Sequence, residues 1–105
     1  MKKKTKQVER IETMEANMND VNAVLAETIK ATKKLKRVMK KYDALSKYYS
    51  SQDWFDDAQA YSEGKLPEDL RCGVLSEDLP YDVIGDMYYY ALSQLEFVTN
   101  FLKKH

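Results

Sequence analysis

The chain is poor in the residues that build disulfides and transition-metal sites. Its 105 residues include one cysteine, Cys72, and one histidine, His105. A single cysteine excludes a disulfide within the chain and is typical of proteins in a reducing compartment. Because zinc, iron and copper sites need several thiolate or imidazole ligands, we expect no metal and no cofactor.

The chain also lacks a long apolar run. No segment approaches the roughly 18 consecutive apolar residues that suggest a membrane-spanning helix. The start, MKKKTKQVERIE, is basic but has no apolar stretch after it, so it does not resemble a secretory signal. We therefore expect a soluble, cytoplasmic protein that does not associate with a membrane.

Catalytic groups are similarly scarce. Cys72 has no internal histidine partner, and the three glycines are spaced as helix terminators rather than as a phosphate-binding loop. The central acidic residues lack EF-hand spacing, and most stand where helices are expected to start. These acids are Glu68, Asp69, Glu77, Asp78 and Asp82. We expect no catalytic residue, and an enzyme with a carboxylate site in residues 64–86 ranks last among the alternatives.

Glycine and proline are rare, and all of them lie together. The three glycines and two prolines fall within residues 64–86. No helix breaker occurs in residues 1–63 or 87–105, and no β-strand alternation is present. The sequence predicts a single all-α domain over residues 1–105, a helical bundle. In it a long N-terminal helix packs against a C-terminal helix, with short helices and helical turns between them and residues 1–7 disordered or frayed.

The first helix is predicted from apolar residues at every third or fourth position. A heptad interpretation places the following residues at the a and d positions: Ile11, Met14, Met18, Val21, Leu25, Thr28, Thr32, Leu35, Met39, Tyr42, Ser46 and Tyr49. Val24, Val38 and Leu45 widen the stripe, as a helix in a bundle requires. Such a helix is about 60 Å long. Either it breaks near residues 17–22, where Asn17, Asn19, Asp20 and Asn22 are weak helix formers, or its N-terminal turns project and pair with a second copy.

Seven basic residues follow one another in this helix: Lys30, Lys33, Lys34, Lys36, Arg37, Lys40 and Lys41. They form a face opposite the apolar stripe. The net charge of the chain is zero, and basic residues 1–50 balance acidic residues 51–86. This balance favours a solvated face, or one that meets the acidic segment. The alternative is a nucleic-acid interface that uses Lys30, Lys33, Lys34, Arg37, Lys40 and Lys41.

A capped short helix is predicted next. Ser51 or Asp53 is the expected N-cap, and the helix extends to about Ser62 with Trp54 on its apolar side. Gly64 stands where a left-handed residue commonly closes a helix.

Two more short elements are predicted before the last helix. Residues 67–73 are interpreted as a single helical turn, with proline at its first position and glycine after its end. Val74 and Leu75 should then enter the core. A short helix over residues 76–84 follows, and Gly85 should end it.

The last helix, residues 87–104 with Asp86 as its cap, carries an apolar stripe. Its members are Tyr88, Ala91, Leu92, Leu95, Val98 and Leu102. Phe97 and Phe101 add a second stripe. Three consecutive tyrosines, residues 88–90, cover most of the helix circumference, so at least one is exposed or lies at an interface. A protein partner fits this feature, and a homodimer is the simplest one.

Arg71 is one of two cations in residues 51–86 and has apolar neighbours on both sides. We expect it to form a partly buried structural ion pair with Asp78 or Asp82. Such pairs fix geometry more than they add stability.

Residues 63–78, EGKLPEDLRCGVLSED, resemble a small bacterial family catalogued as domain of unknown function 4298. Its signature, Leu-Pro-x-Asp-Leu-x-x-Gly-Val-Leu-Ser-Glu-Asp, matches residues 66–78. The resemblance covers nearly the whole chain, including the Tyr48-Tyr49 pair and a short helix with Trp54. It implies a soluble, cytoplasmic, all-helical protein of low-GC Gram-positive type, and it brings no established activity.

The sequence does not define a molecular function. The leading hypothesis is a small non-enzymatic module for protein interaction or structure, including self-association. Nucleic-acid association through the basic face is the second hypothesis.

Overall fold

Three α-helices and one 3-10 turn follow one another in the computed structural model, which describes residues 3 and 5–105. The helices are α1 (Lys6–Tyr48), α2 (Gln52–Ser62) and α3 (Asp78–Lys104), and the 3-10 turn is Gly73–Leu75. This described part contains no strand, so the predicted all-α class with a long first and a long last helix is confirmed. The expected disorder of residues 1–7 falls partly on residues 1, 2 and 4, which lie outside the described residues, and it stays a prediction.

The chain divides into two units, residues 1–39 and 40–105. The first unit holds most of α1, which runs without a break through residues 17–22. A weak helix former costs up to about 0.7 kcal/mol relative to alanine, which its many helix-forming neighbours offset. Every side chain of residues 6–31 is exposed, whereas Thr32, Leu35 and Met39 are half-buried.

In the second unit, α2 begins and ends where the sequence predicted. The Oγ of Ser51 accepts a hydrogen bond from the Trp54 amide at 3.2 Å, so Ser51 is the N-cap rather than Asp53. At the other end Gly64 adopts a left-handed φ of 70°. The Gly64 amide donates to the Tyr61 carbonyl at 3.1 Å, and the Lys65 amide donates to the Ala60 carbonyl at 3.0 Å. These two bonds form a Schellman motif, which satisfies the last carbonyls of α2.

The predicted helical turn over residues 67–73 is wrong. The structure has one hydrogen-bonded turn there, in which the Leu70 amide donates to the Pro67 carbonyl at 3.2 Å. Gly73 begins the 3-10 turn instead of ending a helical one. A proline followed by two acids also suits a simple turn, and pattern alone does not separate the two.

The predicted stop at Gly85, with Asp86 as a new cap, is also wrong, because α3 runs through both residues. A glycine within a helix costs about 1 kcal/mol relative to alanine, which is too little to break a long apolar helix. Pro80 lies in the first turn of α3, where its missing N–H needs no partner within the helix. The Oγ of Ser76 accepts a hydrogen bond from the Leu79 amide at 3.1 Å, and this bond satisfies one of the free amides at the start of α3.

Burial is concentrated at the centre of the second unit. Among the described residues only Trp54 and Pro80 are buried, and the 3-10 turn contacts both α2 and α3. Val74 is exposed and Leu75 is half-buried, so the expected entry of this pair into a core is only partly realised. The apolar stripes of α1 up to residue 31 and of α3 from residue 88 are exposed, in contrast to the burial expected for a bundle.

Candidate functional site

Trp54 is the centre of the packed part of the second unit. Its side chain is 5% exposed, and its indole Nε1 donates a hydrogen bond to the Val74 carbonyl at 2.9 Å. The rings of Tyr49 and Phe55 contact it edge to face, with centroids 5.2 and 5.1 Å away. The Tyr49 hydroxyl donates to the Glu77 carbonyl at 3.1 Å. Two aromatic side chains therefore hold the backbone of the 3-10 turn and the start of α3.

A cavity of about 240 Å³ opens beside this cluster. It is lined by Tyr48, Asp57, Leu66, Leu70, Arg71, Cys72, Val74 and Leu75. Most of these residues belong to residues 66–75, the connection between α2 and α3. Apolar side chains form most of the wall, and Asp57 and Arg71 supply its charges. Concave apolar sites with a few polar groups are the common form of a binding site, so we take this cavity as the candidate site.

The polar edge of the cavity is a pair between the last turn of α1 and α2. The Tyr48 hydroxyl donates a hydrogen bond to Asp57 Oδ2 at 2.5 Å. This bond to a carboxylate, together with partial desolvation, raises the pKa of Tyr48 to about 12. A phenol with a raised pKa keeps its proton at neutral pH, so the Tyr48 hydroxyl remains a hydrogen-bond donor to Asp57.

Arg71 lines the cavity, but its expected partners do not. In residues 3 and 5–105 no carboxylate oxygen lies within 4.0 Å of its guanidinium, and Arg71, Asp78 and Asp82 are all exposed. The structure therefore does not form the ion pair that the sequence predicted. Asp78 and Asp82 lie in the first turns of α3, where carboxylates favour the positive end of the helix dipole.

The cavity holds one thiol and no imidazole. The Sγ of Cys72 contacts the Leu70 carbonyl at 3.5 Å, and the side chain is half-buried. His105 lies at the end of the chain, where its ring packs on Phe101 with centroids 4.7 Å apart. No three histidine, cysteine, aspartate or glutamate side chains converge on a point suited to a metal ion in the part of the chain that the structure describes.

The residues of the predicted basic face are exposed. The six that the nucleic-acid alternative uses are Lys30, Lys33, Lys34, Arg37, Lys40 and Lys41. None of them is paired with a carboxylate within 4.0 Å among the described residues. The guanidinium Nε of Arg37 donates to the Lys33 carbonyl of its own helix at 3.4 Å.

The sequence did not indicate the Tyr48–Asp57 pair. The sequence placed Tyr48 near the end of the first helix and Asp57 in the short helix after it, but it did not predict their contact. Their contact depends on the sharp connection through Ser50, which has a left-handed φ of 67°. A non-glycine residue rarely adopts that conformation, so no residue pattern would have predicted how the last turn of α1 meets α2.

In residues 3 and 5–105, no helix combines the length and the hydropathy that a membrane-spanning segment needs. No curated protein matches the chain. The model of a family described as domain of unknown function (DUF4298) matches residues 11–97, which include α2, the connection between α2 and α3, and the whole lining of the cavity. Because the match covers well over half of the 105 residues, the chain belongs to the DUF4298 family of unknown function.

Proposed function

We propose that this protein is a small non-enzymatic interaction module that acts through contacts with other protein chains. The observation that carries the proposal is the exposed apolar surface of α3. Leu95 and Leu102 are 63% and 67% exposed, and every side chain from Tyr88 to the end of the chain is exposed. Exposed apolar patches of this kind favour a partner, because water-exposed apolar surface is costly.

The spacing of these residues fits recognition of a helix by a protein groove. Leu92, Leu95, Val98 and Leu102 recur at three- or four-residue intervals, so they lie along one side of α3. Helices that insert into apolar grooves use anchors at this spacing. Ser93 and Asn100 lie on the opposite side of the helix, beside Phe97 of the second apolar stripe, so exposed apolar residues occupy more than one side of α3.

The cavity gives less support to an enzyme. A carboxylate site in residues 64–86 requires Asp78 or Asp82 to face a pocket with Arg71, and neither residue lines the 240 Å³ cavity. The carboxylate that does line it, Asp57, accepts a hydrogen bond from Tyr48 and is therefore already engaged.

Site-specific photo-cross-linking in cells tests the proposal. A photoreactive residue at Leu95 should give discrete protein adducts, either with another protein or with a second copy. The same residue at Asp43, an exposed position of α1 with Lys36, Lys40 and Lys47 on its helix face, is the control and should give few adducts. Equal and diffuse adducts at both positions, or none at Leu95, would refute the proposed function.

A second candidate is association with nucleic acid, which the exposed and unpaired state of Lys30, Lys33 and Arg37 favours. Phosphate contacts by such residues give affinity that falls steeply with salt. Binding to single- and double-stranded oligonucleotides measured by fluorescence anisotropy tests it. Affinity that survives about 200 mM salt and is lost in Lys33→Glu/Arg37→Glu supports this candidate; affinity unaffected by the substitutions contradicts it.

A further inference from the structure

The N-terminal part of α1 carries an apolar seam that is exposed along its whole length. The seam residues are Ile11, Met14, Met18, Val21, Leu25 and Thr28, at successive a and d positions of the heptad pattern. Their side chains are all exposed, Val21 to 66%. A shallow depression of about 570 Å³ lies on this face, lined by Met14, Asn17, Met18, Asn19, Val21, Asn22 and Leu25. A face with this periodicity matches the surface that another helix covers in a coiled coil.

We propose that residues 8–29 pair with the same residues of a second copy as a parallel, in-register, two-stranded coiled coil. This inference rests on the proposed function and names one partner for it. The evidence that the occupant is a second copy comes from the residues that flank the seam. In a parallel pair, each g residue faces the e residue five positions later in the partner helix.

The flanking pairs of this register match in chemistry. Arg10 at g faces Glu15 at e of the second copy, which joins opposite charges. Asn17 faces Asn22, and two amides can donate and accept hydrogen bonds with each other.

The third flanking pair is apolar. Val24 faces Ile29 of the second copy, so these two side chains widen the apolar seam where it reaches Thr28. Val24 and Ile29 are 61% and 48% exposed in the single chain. These three flanking pairs therefore all have complementary chemistry in one register.

The antiparallel arrangement that covers the same seam matches less well. It places each e residue against an e residue and each g residue against a g residue. With Met18 layered on Val21 of the second copy, the e residues match in chemistry, Val8 with Ile29 and Glu15 with Asn22. The g residues do not match, because Asn17 faces Val24 and Arg10 faces Ala31. An amide would then be desolvated against a valine, and the charge of Arg10 would have no partner.

The one polar residue of the seam does not oppose pairing. The Oγ1 of Thr28 donates a hydrogen bond to the Val24 carbonyl of its own helix at 2.8 Å. The hydroxyl is therefore satisfied within one chain, and the methyl group remains available to the seam. Beyond Thr28 the pattern changes, because the next seam residues, Thr32 and Leu35, are already half-buried. Residues 8–29 thus define the free part of the seam, about 33 Å or three heptads long.

A charge exchange in the full-length protein tests the register. Arg10→Glu places a second carboxylate against Glu15, and Glu15→Arg places two guanidinium groups together, so each variant alone should dimerise about tenfold more weakly. An equimolar mixture of the two variants restores an attractive pair and should recover most of the original affinity. Asp20→Lys, at a c position away from the seam, is the control and should leave the dissociation constant within about twofold.

Molar mass in solution and one cross-link complete the test. The unmodified protein should show twice the mass of the 12.3 kDa chain at micromolar concentration. Ile11→Cys in a Cys72→Ser background should form an intermolecular disulfide on mild oxidation, because equivalent a positions adjoin in a parallel pair. In the antiparallel arrangement the two introduced thiols would be about 25 Å apart.

Three results overturn the inference: the mass of a single chain, failure of the mixed variants to recover, or a dimer of the Ile11→Cys variant whose introduced thiols do not cross-link. None of these results affects adduct formation from Leu95 on α3 to other proteins. If the Leu95 adducts with other proteins are absent but the dimer still forms, the wider interaction function is refuted and the coiled coil is not.

Discussion

The indole Nε1 of Trp54 donates a hydrogen bond to the main-chain carbonyl of Val74 at 2.9 Å. The bond joins the first turn of α2 to the 3-10 turn, twenty residues later in the chain. Because Trp54 is the buried aromatic residue of the second unit, this contact links the packing of α2 to the course of residues 66–75. The candidate cavity lies on that segment, so its shape depends on Trp54.

Replacing Trp54 by phenylalanine should destabilise the second unit by about 2 kcal/mol, because it removes the hydrogen bond and leaves an unfilled volume. Urea denaturation followed by circular dichroism measures the change. Phe55→Leu is the control: Phe55 is 53% exposed, and its replacement should cost less than about 1 kcal/mol. Equal effects of the two substitutions would show that Trp54 does not organise this unit.

The Tyr48–Asp57 hydrogen bond should give a pH-dependent contribution to stability at alkaline pH. The pKa of Tyr48 is raised from 10.0 to about 12 in the folded chain, so the folded state holds the phenolic proton more tightly than the unfolded state does. The contribution is therefore fully present below pH 10 and is lost as the pH rises towards 12. Comparing the urea midpoints of the unmodified protein and Tyr48→Phe across this range isolates the effect from other groups.

Asp57→Asn provides the matching control for this hydrogen bond. An amide oxygen still accepts a hydrogen bond but lacks the negative charge that holds the proton. The alkaline loss of stability should then be much smaller, because the pKa of Tyr48 in the folded chain lies nearer its ordinary value. An unchanged pH profile in Asp57→Asn would mean that Asp57 does not cause the shift.

Two glycines should respond in opposite directions to replacement by alanine. Gly64 has a φ of 70°, and a Cβ there would meet no atom within 4 Å, so Gly64→Ala suffers only backbone strain, about 1 kcal/mol of destabilisation. Gly85 lies within α3 and also has free space around its Cβ position. Gly85→Ala should therefore stabilise the helix, by up to about 1 kcal/mol. Thermal denaturation of both variants tests this, and a shift in the same direction for both would contradict the assignment of their conformations.

These two glycines also show how far the sequence predicts the fold. Gly64 follows a short helix whose polar end is clear, and the prediction that it terminates this helix is confirmed. Gly85 has the same appearance in the sequence, yet apolar residues on both sides keep α3 continuous. A single glycine therefore indicates the end of a helix only where the flanking residues do not themselves favour a continuous helix. The Tyr48–Asp57 pair escaped prediction for another reason, since it depends on the unusual conformation of Ser50.

Removal of the Arg71 charge tests whether the predicted ion pair forms. An ion pair with Asp78 or Asp82 would make its removal costly, because a partly buried carboxylate would lose its partner. In the structure Arg71 is exposed and has no carboxylate within 4.0 Å among residues 3 and 5–105. Arg71→Met should therefore change the free energy of unfolding by no more than about 0.5 kcal/mol.

The double variant Asp78→Asn/Asp82→Asn should also be only slightly destabilised at neutral pH. Its free energy of unfolding should fall by about 0.5 kcal/mol, because two carboxylates at the positive end of the helix dipole are lost. The change in the free energy of unfolding of the triple variant should then equal the sum of the changes in Arg71→Met and in the double aspartate variant, because sites without contact behave additively. A coupling energy above about 1 kcal/mol between Arg71 and the two aspartates would show that the ion pair forms in solution. Additivity would instead agree with Arg71 as an unpaired cation on the edge of the 240 Å³ cavity.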